Sequence, residues 1–168
     1  MEKVLSVDWL PRIDVVLEQA PADVWPWIVR TEAWMLDLRS EHIEGPAAQI
    51  GEVRRVTKIG EAGQSVSSFV KQLIVLQPNE RIVFKMLRFE EPIGGFEELV
   101  GYAIYNLYDL RGRTLLIYET VSQLTTSRMS SEEALQAVGP EALSGVRRHW
   151  DEVYVPKLNA LLKERRRD

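Results

Sequence analysis

Apolar positions along the chain follow two different periods. Arg12-Ile13-Asp14-Val15-Val16-Leu17-Glu18 is short, β-branched and bounded by Pro11 and Pro21, which predicts a strand. Past Pro21 the period lengthens. Val24, Trp25, Ile28 and Val29, then Trp34, Met35 and Leu38, recur near 3.6 residues and predict two short helices meeting around Thr31. Thr31 is the expected N-cap of the second, with Glu32 in its first turn. Pro26 conflicts with an unbroken first helix because an interior proline removes a backbone donor, so a late start or a bend is expected there.

After a loop bounded by Gly45-Pro46 and Gly51, three stretches have strand character: Glu52 to Ile59, Ser65 to Leu76 and Arg81 to Glu90. The links Gly60-Glu61-Ala62-Gly63 and Gln77-Pro78-Asn79-Glu80 have hairpin length and turn chemistry, so neighbouring antiparallel strands are the simplest topology. The glycine-containing connection Pro92 to Phe96 reads as a loop and a candidate lid. Two further strands, Glu98 to Leu110 and Arg113 to Leu124, flank the tight turn at Arg111-Gly112. In the first of these Tyr102, Ile104, Asn106, Tyr108 and Leu110 share one face, and Ala103, Tyr105 and Leu107 the other. Both faces are largely apolar, so the strand is expected to be covered on both sides.

Ser130 with Glu133 reads as a capping box opening a helix that Gly139-Pro140 interrupts. Pro140 can begin a longer helix, along which Leu143, Val146, Trp150, Val153, Tyr154, Leu158, Leu161 and Leu162 form one broad apolar stripe. Pro156 is an expected kink. A helix of about 22 residues spans roughly 33 Å, long enough to cross a small sheet. Arg165-Arg166-Arg167-Asp168 reads as a solvated end. The long sheet must bury an apolar face, and only the C-terminal stripe matches its length. A sheet curling around that helix satisfies both surfaces and leaves room for a cavity.

The 168 residues suit one domain, with a core over about 11–163. With Cys 0, the chain has no thiol nucleophile, disulfide or thiolate metal site. A net charge of -4, with separated arginine doublets rather than a basic stripe, argues against nucleic acid as a partner. No stretch is long and apolar enough for a transmembrane segment, and the first residues lack a signal-peptide core, so a cytoplasmic location is expected. A homodimer is compatible with this composition.

The order of elements, together with several local patterns, resembles the START/Bet v 1-like (SRPBCC) superfamily, especially its polyketide cyclase/dehydrase-like and activator-of-Hsp90-ATPase-like members. The matching segments are Ala20-Pro21-Ala22-Asp23-Val24-Trp25 followed by Trp34, Gly51-Glu52-Val53-Arg54, Leu76-Gln77-Pro78-Asn79-Glu80-Arg81-Ile82-Val83-Phe84, and the last helix with Trp150 and Leu158. The resemblance covers nearly the whole chain. It implies an α+β helix-grip fold: a curved antiparallel sheet of six or seven strands around a long C-terminal helix, with two short helices after strand 1. It also implies a deep cavity for lipids, polyketides or other apolar molecules, and in some relatives cyclisation, dehydration or hydrolysis.

Candidate cavity residues follow from strand parity. On the strand from Arg81, the face carrying Ile82, Phe84, Met86, Arg88 and Glu90 is taken as inward, with Arg88 either meeting a ligand's polar group, pairing with an acid or reaching the rim. Tyr102, Asn106, Tyr108, Tyr118 and Thr120 offer polar groups among apolar neighbours, while Tyr105, Ile117 and Glu119 form the alternative lining. Trp25 and Trp34 read as core anchors, and Trp150 is the tryptophan best placed for a ligand. Catalytic candidates are thin. His42 leads into a loop near the expected cavity mouth, Tyr118 sits on an inward strand, and His149 lies beside the helix stripe as a boundary residue. The two histidines have no metal-ligand spacing and there is no G-x-S-x-G elbow, so no metal and no cofactor are expected. Asp14, Glu97 and Glu119 would act as acids only if buried. The leading reading is a binding protein for an apolar or amphipathic small molecule. The alternatives are a polyketide cyclase/aromatase-type enzyme and a protein–protein adaptor resembling a co-chaperone.

Overall fold

The structure, a computed structural model, describes residues 3–165, so positions 166–168 of the expected tail lie outside it. Eight antiparallel strands form one curved sheet: β1 (Leu5–Trp9), β2 (Arg12–Leu17), β3 (Leu38–Glu44), β4 (Val53–Ile59), β5 (Ser65–Gln77), β6 (Arg81–Glu91), β7 (Glu98–Asp109) and β8 (Thr114–Thr126). The order across the sheet is β1-β8-β7-β6-β5-β4-β3, with β2 also on β8. β1 and β2 follow one another along β8, with Trp9 opposite Ser122 and Arg12 opposite Glu119. The Leu10-Pro11 break between them is stitched by the Thr120 amide, which donates to the Pro11 carbonyl at 3.0 Å.

Two strands exceed the sequence expectation. β1 has the alternation Leu5, Val7, Trp9 toward the core with Ser6 and Asp8 outward, a period-2 signal in only five residues. β3 occupies positions expected to end a helix and open a loop. It is a polar edge strand with a register shift between His42 and Glu44, as edges that must not recruit another chain tend to be.

The first expected helix is α1 (Pro21–Val29), which starts at Pro21 and continues through Pro26, burying Val24 and Ile28 one turn apart. The second shrinks to a single 3₁₀ turn, Thr31–Ala33, in which the Thr31 side chain makes no cap bond. The Thr31 carbonyl instead accepts from the amides of Trp34 and Met35. The capping box of α2 (Ser131–Ala137) is complete: Glu133 N donates to Ser130 Oγ at 3.2 Å, and Ser130 N to Glu133 Oε2 at 2.8 Å. From Pro140 one helix runs to Glu164 as α3 (Pro140–His149), a π turn (Trp150–Tyr154) and α4 (Val155–Glu164). The Val155 amide reaches back to the Trp150 carbonyl, so one extra residue is held in that turn. Pro156 supplies no N–H to a carbonyl of the turn before it, and that turn, being wide, gives its ring room.

Trp150, Tyr154, Leu158 and Leu162 are the fully committed positions of the stripe and share one core with Ile13, Leu17, Ile82 and Leu116 of the sheet. Val153 faces outward instead, carried round by the π turn. No helix among the described residues is long and apolar enough to cross a membrane.

Candidate functional site

The cavity originates in which residues the register brings to the concave face. Across β6, β7 and β8 the layers are Ile82–Tyr105–Tyr118, Phe84–Ala103–Thr120 and Met86–Gly101–Ser122. The middle strand contributes large side chains at one end and only Ala103 and Gly101 further along, so the face is hollow there. The helix crosses above this hollow, and a cavity of about 500 Å³ remains, bounded by Met86, Ala103, Tyr105, Tyr118, Thr120 and Trp150. Gly101 has φ +151, and a Cβ there would lie 2.2 Å from the Val121 carbonyl oxygen, so only glycine lets β7 bend onto β8 at this point.

One wall is aromatic. Trp34, fully buried with its indole N–H donating to the Trp27 carbonyl at 2.8 Å, meets Trp150 edge-on at 5.6 Å. Trp150 stacks on Tyr118 at 4.9 Å, and Tyr118 contacts Tyr105 at 4.8 Å. Tyr118 and Thr120 share a hydroxyl hydrogen bond of 2.8 Å. Burial raises the pKa of both Tyr105 and Tyr118, so both stand as neutral donors over the physiological range.

Beside this wall, Tyr154 Oη donates to Asp37 Oδ1 at 2.7 Å, and His149 Nε2 lies 3.1 Å from Asp37 Oδ2. Positions five apart lie about 140° apart around a regular helix at 3.6 residues per turn. The π turn removes that angle and sets the rings of His149 and Tyr154 edge-to-face at 4.5 Å. Both residues border the cavity.

On the opposite side stands Lys71 of β5, paired with Arg54 on β4 and Met86 on β6. Its ammonium lies 3.7 Å from the centre of the Phe84 ring. Among the described residues no carboxylate lies within ion-pairing distance of it. Glu32 and Glu52 act on it only at longer range, and Arg54 is held by Glu52 at 2.8 Å and by Ser40 Oγ at 2.6 Å. Lys71 retains some accessible surface because it stands in the cavity, yet protein encloses it. Desolvation, then the nearby Arg54, bring its pKa down from 10.5 to about 8. It also borders a second chamber of about 390 Å³, lined by Arg54, Leu73, Ile82 and Phe84.

Of the residues expected from parity, Met86, Tyr118 and Trp150 border the larger cavity and Phe84 the smaller chamber. Four lie elsewhere. Tyr102 and Tyr108 are exposed, because pairing Tyr105 with Tyr118 puts the even-numbered residues of β7 on the convex face. Asn106 is buried at one end of the sheet, where its Oδ1 accepts from Arg81 Nε at 2.6 Å. Arg88 is turned out by a bulge: Lys71 pairs with Met86 but Val70 with Arg88, so Leu87 is the extra residue and parity flips beyond it. Phe89, not Arg88, then points to the core. Ile117 and Glu119 of the alternative lining share the convex side, where Glu119 and Asp14 both pair with Arg12. The segment 92–96 does not line the cavity; Ile93 and Phe96 close it as a turn with Phe96 buried.

His42 is on β3, and its Nδ1 lies 3.0 Å from Glu52 Oε1 rather than in the cavity wall. Burial pushes Glu52 up, but hydrogen bonds from His42, the Ala48 amide and Arg54 outweigh it and hold its pKa below 4.5. Sequence reasoning missed Lys71, Asp37 and Glu52, and set His149 aside. The one available signal was Lys71 itself, a charge placed between the core positions Phe69 and Leu73 on the inward parity. Among the described residues no three His, Asp or Glu side chains gather as a metal site.

No protein-family model matches the chain, and no curated protein matches it. Solved structures do. A protein from Chromobacterium violaceum is 21% identical with a TM-score of 0.60, covering 91% of this chain and 96% of its own. Ara h 8.0201 is 12% identical with a TM-score of 0.63, over 94% and 99%. The Zhui aromatase/cyclase from Streptomyces sp. R1128 is 17% identical with a TM-score of 0.55, over 96% and 95%. At these identities the likeness is one of fold. This chain has the broad Bet v 1-like helix-grip fold, with the internal cavity between sheet and helix.

Proposed function

We propose that the protein binds an apolar or amphipathic small molecule in the cavity between the sheet and the C-terminal helix. The observation that carries this reading is the space of about 500 Å³ beneath Trp150, which a packed core of this size would fill with side chains. Tyr105, Tyr118 and Thr120 supply orienting hydroxyls within a mainly apolar wall, the usual composition of a small-molecule site. Burying roughly 200 Å² of ligand surface contributes on the order of 5 kcal/mol before the costs of association. The neutral dye N-phenyl-1-naphthylamine tests it: fluorescence rises with wild type and not with folded Met86→Trp, whose indole fills the space. Equal enhancement by both proteins would refute this lining.

A second reading, an enzyme of the aromatase/cyclase kind, is favoured by the Asp37–His149 pair. With Asp37 accepting from Nε2–H, Nδ1 of His149 is left as a base beside the cavity, suited to removing a proton next to a substrate carbonyl. Incubation with a poly-β-ketone mimic separates the two readings. Turnover that falls at least tenfold in His149→Ala but not in His42→Ala supports catalysis, and binding without turnover supports the carrier.

A further inference from the structure

Lys71 is a cation inside the fold that no carboxylate contacts among the described residues. The neighbouring cation Arg54 is spent on Glu52 and Ser40, and Arg55 on the convex face is met by Glu41 and Glu90. Lys58 borders the larger cavity but is exposed at its mouth, where water solvates it. Lys71 stands inside, on the inward parity of a central strand, with an aromatic face beneath it and no carboxylate in contact among the described residues. An enclosed ammonium with neither water in bulk nor a counter-ion is unfavourable unless something arrives to pair with it. Placement makes the point sharper. Lys71 borders both chambers, so a group held by it sits where the two meet. A chain extending from that group toward Met86 and Trp150 meets apolar and aromatic wall.

We propose that Lys71 is an anion-binding anchor, and that the ligand of this cavity is an amphipathic acid whose carboxylate pairs with the Lys71 ammonium while its apolar body occupies the space beneath Trp150. This deepens the binding function proposed above and rests on it. The carboxylate is the head group whose charge and size answer a single ammonium; Lys71 lies in the Met86 layer of the sheet, two layers from Tyr105 and Tyr118 in the Ile82 layer. Glu32 and Glu52 act on Lys71 from beyond contact distance, so among the described residues they leave its ammonium without a contact partner.

The test uses three probes of the same chain length: decanoic acid, decan-1-ol and decylamine, measured by displacement of N-phenyl-1-naphthylamine at pH 7. Wild type is expected to bind decanoate at least tenfold more tightly than decylamine, a comparison that needs no variant. Lys71→Met is expected to lose about tenfold in decanoate affinity while its decanol affinity stays within twofold, and Lys71→Gln to follow it. Equal binding of decanoate and decylamine by wild type would overturn the proposal. So would an unchanged decanoate affinity in both variants, or an equal loss of decanoate and decanol. If the dye binds and no decanoate competes, the anchor fails and the binding function stands; if the dye itself is not bound, the binding function fails first.

Discussion

Tyr154 donates its hydroxyl to Asp37 at 2.7 Å across 117 positions of sequence, fastening the C-terminal helix to the turn that leads into β3. The other oxygen of the same carboxylate faces His149, so one acid holds two helix residues that a regular α-helix would point apart. Burial, and then the Asp37 carboxylate, raise the Tyr154 pKa, so the bond persists through the neutral and alkaline range. Tyr154→Phe removes a hydrogen bond to a charged acceptor and is expected to lower stability by about 1.5 kcal/mol. Urea denaturation measures this, and an unchanged midpoint would mean that the clamp contributes nothing.

Lys71 makes stability depend on alkaline pH in an unusual direction. Its folded pKa, about 8, lies below its unfolded 10.5, so between these values the unfolded chain binds more protons and folding strengthens as pH rises. Below pH 8 the buried charge is a net burden. Lys71→Met is therefore expected to exceed wild type by roughly 3 kcal/mol at pH 7, a gap that narrows between pH 8 and 10.5. Arg54, Glu32, Glu52 and Lys58 surround the site in both proteins, so the difference between the two curves isolates Lys71. A gap that does not change with pH would contradict enclosure of the charge.

Glu52 behaves oppositely. Its pKa is held below the ordinary 4.5, so its contribution is complete above that pH and is lost as pH falls through the lowered folded value. Glu52→Gln should cost about 1–3 kcal/mol at pH 7, because one of the two oxygens shared by His42, Arg54 and the Ala48 amide becomes an NH2 that cannot accept, and the negative charge is lost. At pH 3 the difference should be smaller than at pH 7. Thermal unfolding at the two pH values decides this; a constant difference would assign the loss to shape rather than charge.

Gly101 is the position where the sheet tolerates no side chain. In Gly101→Ala the new carbon would meet backbone of both Val121 and Ser122, neither of which can swing aside. A loss of more than about 2 kcal/mol is expected, since strained backbone and overpacking act together. Chemical denaturation reads it directly. A variant as stable as wild type would show that β7 can straighten without disturbing its pairing.

The helix-grip architecture was legible because its largest signals are long. The stripe from Trp150 to Leu162, the capping box at Ser130 and Glu133, and the alternation Ile82, Phe84, Met86 each depend on local pattern alone. What was not legible depends on pairing. On β7 both faces are apolar, so only the match of Tyr105 to Tyr118 decides that Ala103 lines the cavity and Tyr102 does not. Arg88 follows the right parity until Leu87 interrupts it, and no residue type at that point announces a bulge. β3 is polar on both faces because it is an edge, which in sequence looks like a loop. Asp37 is far in sequence from His149 and Tyr154, and those two, five positions apart, face it together only through the extra residue of a π turn.

The stacking of Trp150 on Tyr118 at the cavity wall has a practical corollary. An indole in van der Waals contact with whatever fills that space is a built-in optical gauge. Arrival of a guest changes the polarity around Trp150, and with it the intensity and wavelength of emission. Trp9 also borders the cavity, whereas Trp34, Trp25 and Trp27 do not line it and supply a steadier background. The molecule therefore reports its own occupancy, without a label, to anyone who excites its tryptophans.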